Sequence, residues 1–316
     1  MRILITGGFG FLGGRLAVHF SQAGHQIILG TRHSINPPGW LPHAEVAKIV
    51  WDDEGLLKQS CKGIDVIIHT AGMNAQDCAA DPVAALACNG LATEKLVAAA
   101  SQTSVKKFFY LSTAHVYASP LTGVISEKTS LRNLHPYATS HIAGEQAVLS
   151  AHARGELQGV VLRLSNAFGA PMHKDVNCWM LLVNDLCKQA VLKGKLTLQT
   201  SGFQQRDFIG LTEVCRAVER ILVESNIGGQ HNIFNLGSGI SHSVLEMAQI
   251  VQKRCLKILG YEPQIEYKKI GKDEGNTILS YRTNHLAILN ITTQSQDIKF
   301  EIDRLLEFLK KTSVKE

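Results

Sequence analysis

The chain has 316 residues, of which 45% are hydrophobic and 19% charged, a globular balance that excludes a disordered or fibrous protein. Net charge is +5, from 32 basic and 27 acidic residues. The basic residues are scattered, so nothing in the charge calls for nucleic acid as a partner.

Ile3-Leu4-Ile5 reads as a buried parallel strand. A glycine turn follows, spaced GxxGxxG at Gly7, Gly10 and Gly13, and then a helical pattern over residues 11–23. This order aims the free N–H groups of a helix N-terminus at one spot, which suits a pyrophosphate. Gly7 permits the tight turn, Gly10 lets the phosphates approach, and Gly13 lets helix and strand pack closely. Further strands are expected at 25–29, 46–51, within 63–69, 107–112 and 160–164. Helices are expected at 89–102 and 136–151. Strands separated by helices imply a parallel, doubly wound sheet, with ligands beyond the carboxyl ends of its strands. After residue 171 the pattern changes: a helix at 179–193, a strand at 196–199, a helix at 214–224, a strand at 232–236 and a helix at 243–259. From about residue 262 the chain reads as less regular, ending in a charged helix at 301–311. The expected plan is α/β: a Rossmann-type doubly wound parallel sheet over 1–171, to which 207–236 return, and a smaller C-terminal substrate-binding lobe of 172–206 and 237–316.

Seven cysteines lack a CxxC pair and read as reduced, mostly buried thiols. Thirteen histidines show no HExxH or paired Cys/His spacing, so no metal is expected. No apolar run is expected to reach membrane-spanning length, and residues 1–13 lead into the glycine turn rather than a signal cleavage site. The expected setting is cytoplasmic, with no membrane partner.

With these elements placed, the chain resembles the extended short-chain dehydrogenase/reductase family, in its nucleotide-sugar epimerase/dehydratase branch. Thr6-Gly7-Gly8-Phe9-Gly10-Phe11-Leu12-Gly13 resembles the family's TGGxGFLG. Residues 65–72 (DVIIHTAG) and 89–93 (NGLAT) resemble its next two motifs. Leu111-Ser112-Thr113-Ala114-His115-Val116-Tyr117, residues 163–171, Gln205-Arg206-Asp207-Phe208-Ile209 and residues 234–239 resemble four more, in order. The resemblance implies a nicotinamide cofactor held by Gly7, Gly10, Phe11, Leu12, Gly13, Thr70, Ala71, Gly72 and Asn89. It implies the adenine at Asp52, although the Asp52-Asp53 pair equally suits a helix cap. It places a substrate-binding hydroxyl at Thr113, with Ser112 as the neighbouring alternative.

The family's YxxxK is here Tyr137-Ala138-Thr139-Ser140-His141. The resemblance gives Tyr137 the proton transfer, and gives His141 the place of the lysine that lowers the tyrosine's pKa and holds the nicotinamide ribose. A free tyrosine titrates near ~10 and a free histidine near ~6.5. Three readings stand: His141 substitutes for lysine; Tyr137 acts as a neutral acid, sufficient for ketone reduction; or the site is degenerate and the protein a catalytically weak NADP-binding sensor or scaffold. A protonated His141 would make activity change with pH in the histidine range.

Family dehydratases carry an Asp-Glu pair directly after the threonine. Ala114 and His115 stand here, so dehydration is not expected, and His115 is assigned to lining the substrate site. No acid occurs between residues 25 and 42 to hold a ribose 2′-hydroxyl. Arg32 suits a 2′-phosphate, or is a solvated loop charge; the expected cofactor is NADP, with NAD not excluded. The resemblance puts Asn166, Asn177 and Arg206 against a sugar nucleotide, with Arg206-Asp207 as an ion pair the other reading. It also implies a homodimer through helices 89–102 and 136–151, with Leu91, Leu96, Val97, Ile142, Ala143 and Val148 at the contact. The expected activity is 4-keto reduction or epimerisation of a nucleotide-activated sugar.

Overall fold

The computed structural model describes residues 1–33, 35–224, 231–267, 278–291 and 295–313. Seven strands form the main sheet: β1 (Arg2–Thr6), β2 (Gln26–Thr31), β3 (Glu45–Lys48), β4 (Val66–His69), β5 (Lys107–Thr113), β6 (Gln158–Leu164) and β7 (Ile233–Leu236). Their order is β7-β6-β5-β4-β1-β2-β3, and β1 to β6 pair in parallel. The chain leaves β1 for β2 and β3 on one side, then crosses to β4 on the other. The turn after β1 therefore lies at the topological switch point, where doubly wound sheets bind ligands. All the strands expected for this sheet are present. Their runs of Val, Ile and Leu have both faces covered, as parallel strands require. Leu4, Ile28, Ile67, Phe108 and Val161 are buried together in one core.

The chain divides into two compact units. The first comprises 1–119, 130–164 and 219–234, and the second 120–129, 165–218 and 235–316. In the second, helices Leu182–Lys193, Val244–Leu259 and Ser295–Ser313 surround a separate core that includes Leu186, Met247, Val251 and Leu305. Ser243 and Glu246 close a capping box on the middle helix, at 3.0 and 2.6 Å. The helix expected to start at 179 begins at Leu182, because Trp179 and its neighbours form an irregular approach. Short strands absent from the expectation also lie here: Asn166–Phe168, Gln205–Gly210 and Ser241–Ser243 form a three-stranded sheet. At three to six residues each, they carry too little periodicity to read.

Two expectations about the helix at 89–102 are corrected. It begins as a π-helical turn, Leu86–Leu91, before the α-helix Ala92–Ser101. Together with Pro82–Ala85 these pieces run on as one 20-residue segment, Pro82–Ser101, long and apolar enough by composition to cross a membrane. Half of its most apolar stretch is buried inside the protein, as in a core helix. The segment packs against helix Pro136–Ala153. All seven cysteines are unpaired, and all but Cys88 are buried.

Candidate active site

The glycine turn is built for an absent side chain at three places. Gly7 has φ +68°, and a Cβ there would lie 2.9 Å from the Ala71 nitrogen. A Cβ on Gly13 would collide with the Gly7 carbonyl, so the helix start and the turn touch. Gly8, which sequence reading did not single out, has no room either: its Cβ would meet Leu29 and the Ile5 carbonyl. Gly10 caps helix Phe11–Gln22 with no side-chain hydrogen bond, and the first turn contains no acid. An uncapped helix N-terminus without a competing carboxylate fits a pyrophosphate. Thr70 Oγ1 donates to the Thr6 carbonyl at 2.7 Å, tying the end of β4 to that of β1.

Tyr137 and His141 lie one turn apart on helix Pro136–Ala153, ring centroids 4.7 Å apart and nearly perpendicular. Pro136 and the His135 side chain, which accepts from the Tyr137 N–H, start that helix. Thr113 is buried at the end of β5, and its side chain acts on the Tyr137 phenol, lowering that group's pKa. Its Oγ1 also accepts the His115 N–H at 3.1 Å. Ser112, the alternative, turns away and donates to Glu145 at 2.5 Å. Alternation along a strand separates the two hydroxyls. His115 opens a short 3₁₀ turn after Thr113, and its carbonyl accepts from Asn133.

The π turn holds Asn89 within this group. Its Oδ1 accepts from the Met73 N–H at 2.8 Å, and its Nδ2 donates to Ser140 Oγ at 3.0 Å. Gly72 adjoins it: a Cβ there would lie 3.2 Å from Asn89 Oδ1 and 4.0 Å from His141 Cε1. Gly7, Thr70, Ala71, Gly72, Asn89, Thr113, Tyr137 and His141 thus all stand at the carboxyl ends of β1, β4 and β5 or on the helices behind them.

Electrostatics corrects one expectation. His141 is buried, and burial lowers its pKa to about 4. It is neutral through the physiological range, so a protonated His141 does not help ionise Tyr137. Burial also raises the Tyr137 pKa above the ordinary phenol value, although Thr113 pulls it down. The arrangement is a neutral phenol beside a neutral imidazole.

The other expected residues have these surroundings. Asp52 is exposed and pairs with Lys95 at 2.7 Å. Asp53, not Asp52, caps helix Glu54–Ser60, accepting from the Leu56 N–H at 2.9 Å. Arg32 is exposed just beyond β2. In the second unit, Asn166 donates to the Asp207 carbonyl at 2.9 Å, and Asn177 is exposed. An Arg206–Asp207 ion pair does not form. Asp207 Oδ1 accepts from Ser165 and Ser238, whereas Arg206 meets Gln204 at 3.3 Å. Burial lowers the Arg206 pKa. A guanidinium desolvated without a carboxylate suits an anionic ligand.

Three of the residues expected at a dimer contact are unavailable. Leu96, Val97 and Val148 are fully buried in the first unit's own core, because they cover the sheet. Leu91 is 52% exposed, and Ile142 and Ala143 are half-buried.

A switch-point glycine cradle beside a tyrosine–threonine pair defines a Rossmann-type dinucleotide-binding protein. The chain belongs to the NAD dependent epimerase/dehydratase family, whose profile matches residues 3–237. It is 26% identical over 269 residues to a dTDP-glucose 4,6-dehydratase of Streptomyces niveus, covering 81% of this chain and 78% of that one. It is 27% identical over 292 residues to a UDP-glucose 4-epimerase of Bacillus subtilis strain 168, covering 83% and 84%. Its fold is similar to that of a UDP-glucose 4-epimerase from Thermotoga maritima, with TM-score 0.82, 20% identity and 99% and 100% coverage. Both epimerases and dehydratases are among the relatives, so family membership does not remove dehydration as a reaction.

Proposed function

We propose that the protein is a nicotinamide-dependent oxidoreductase of nucleotide-activated sugars, reducing a 4-keto group or epimerising the C4 carbinol. The observation that carries this is the Thr113–Tyr137 hydroxyl pair at the carboxyl end of β5, with His141 one turn beyond. When bound, the nicotinamide supplies or accepts a hydride at the sugar carbon. Tyr137 gives its proton to the sugar oxygen, and Thr113 orients that oxygen. A tyrosine kept protonated by burial favours the reducing direction. His141 stands where the nicotinamide ribose is held. Asn166, Asn177 and Arg206 receive the sugar nucleotide, Arg206 its diphosphate. Ala114 and His115 supply no carboxylate pair for eliminating water, which disfavours dehydration. Titrating a panel of sugar nucleotides in the presence of each nicotinamide cofactor, followed by absorbance of the reduced form, tests this. Binding of cofactor without any sugar nucleotide would reject it and favour a sensor or scaffold.

We infer that the phosphorylated cofactor is preferred, since Arg32 follows β2 where no acid stands. NADP(H) should bind at least several-fold tighter than NAD(H), through a charge-assisted pair with the 2′-phosphate. Arg32→Ala should abolish the preference and leave NAD(H) binding nearly unchanged. Equal affinities in calorimetry of the native protein would sink the idea.

We also propose a homodimer through Leu91, Ile142 and Ala143, extended by Val83 and Leu86, which are 81% and 54% exposed on the same continuous helical segment. Sedimentation at micromolar concentration should give a dimer, and Leu91→Glu should shift it towards monomer. A monomeric native protein rejects the contact.

A further inference from the structure

Tyr110 lies on β5, buried, three residues before Thr113. Its hydroxyl stands 2.9 Å from His141 Nδ1 and 3.2 Å from the Asn89 carbonyl oxygen. Helix Pro136–Ala153 admits it only because residue 144 is glycine. A Cβ there would collide with Tyr110 Oη and lie 2.6 Å from the Asn89 carbonyl.

Counting protons favours the one arrangement in which both Tyr110 contacts are made. A phenol has one hydrogen, and here it faces two neighbours. The Asn89 oxygen can only accept. A bare Nδ1 would also only accept, leaving two acceptors to share one proton and one buried contact unmade. If Nδ1 carries hydrogen, it donates to Tyr110, and Tyr110 donates to Asn89, so every group is satisfied. Thr93 spends its hydroxyl hydrogen on the same Asn89 carbonyl at 2.7 Å, and therefore accepts from His69 Nε2 at 3.0 Å. Nε2 of His141 has no protein partner among the described residues.

We propose that Tyr110 is a positioning residue: with the Asn89 carbonyl, it holds His141 as the Nδ1–H tautomer, so that Nε2 offers a bare lone pair to a hydroxyl of the nicotinamide ribose. The ribose-contacting part of this rests on the role given to His141 above. The consequence is a reversal of polarity. A lysine at 141 would donate to the ribose, whereas this histidine accepts from it. Tyr110 touches neither substrate nor cofactor and acts through the imidazole alone. The second nitrogen of a histidine is set by the hydrogen bond the first one makes.

The test is nitrogen-15 NMR of the full-length protein labelled in histidine, with the His141 signals identified by their loss in His141→Ala. The two ring nitrogens resonate far apart according to which carries hydrogen. The native protein should show Nδ1–H. Tyr110→Phe should transfer the proton to Nε2, and Gly144→Ala, whose Cβ would meet the hydroxyl and the ring carbon that bears it, should do the same. Calorimetry should then show the cofactor Kd rising about 2- to 10-fold in Tyr110→Phe, the loss expected for one misdirected hydrogen bond. In a His141→Ala background, Tyr110→Phe should change Kd by less than about twofold, because its effect runs through His141. Nε2–H in the native protein, or Nδ1–H persisting in both variants, overturns the proposal. Equal Kd losses in the two backgrounds would make Tyr110 merely structural and also overturn it. Nδ1–H in a native protein that binds no nicotinamide cofactor refutes the proposed function and the ribose contact while leaving the tautomer assignment standing.

Discussion

Tyr137→Phe is expected to lower turnover by about 10²–10⁴-fold and to leave cofactor affinity unchanged. The Tyr137 ring packs edge-on against His141, with centroids 4.7 Å apart. Removing the oxygen therefore deletes the proton path and leaves the ring packing in place. Because burial holds Tyr137 above the ordinary phenol range, it is a proton donor near neutrality, and ketone reduction needs no prior ionisation. His141, pushed down to about 4, is uncharged above that range. Turnover should consequently lack an inflection from His141 near pH ~6.5, the ordinary histidine value. On the acid side it should fall only as pH approaches His141's lowered value, where the imidazolium replaces the lone pair. Steady-state rates of the native protein and Tyr137→Phe across pH check both points. A phenylalanine variant within threefold of native would remove Tyr137 from the chemistry. A clear histidine-range inflection that disappears in His141→Ala would restore a charged His141.

The frame of the site was legible because it depends on local patterns. A strand, a glycine turn and a helix occupy thirteen consecutive residues, and Tyr137 and His141 are one helical turn apart. The alternation of apolar strands with helices placed the sheet, since long apolar runs carry strong periodic signals. What escaped depends on groups distant in sequence. Asn89 itself is legible, but the π turn that aims it is not, because no residue pattern distinguishes it from an α turn. Tyr110 reads as a strand aromatic until residue 144, 34 positions later, proves to be the glycine that makes room for its hydroxyl. The pH expectation for His141 failed for the same reason: burial, not residue type, sets that pKa. Leu96, Val97 and Val148 are closed to a partner because apolar helix positions serve the protein's own sheet as readily as a contact, and periodicity does not separate the two. Asp52 and Asp53 show the limit of adjacency, one an exposed ion pair and one a helix cap.

Arg163→Ala is expected to destabilise the protein by about 3–5 kcal/mol, the cost of leaving one member of a buried ion pair without its partner. Glu145 is fully buried, and Arg163 nearly so. The guanidinium donates from Nε to Oε1 at 3.0 Å and from its terminal nitrogen to Oε2 at 2.6 Å. Its other nitrogen donates to Tyr117 Oη at 2.9 Å, with the cation 4.9 Å from that ring. Ser112 adds a third donor to the carboxylate, at Oε1, so it is fully satisfied only when all are present. Substituting Arg163 leaves a buried carboxylate with one hydroxyl donor. Glu145→Gln should also destabilise, because it leaves the buried Arg163 cation without a counter-charge and sets the amide NH2 against guanidinium donors. Function should follow stability at this point. Glu145 lies one turn beyond His141, and Ser112 immediately precedes Thr113, so the pair ties together the two elements that present the reacting hydroxyls. Arg163→Ala should therefore lower kcat even at temperatures where the protein remains folded, by loosening the Thr113–Tyr137 geometry. Urea unfolding at fixed pH and salt measures the first effect, and steady-state kinetics well below the unfolding transition measure the second. A loss of stability under about 1 kcal/mol would mean the pair is no better than a surface salt bridge, contrary to its burial.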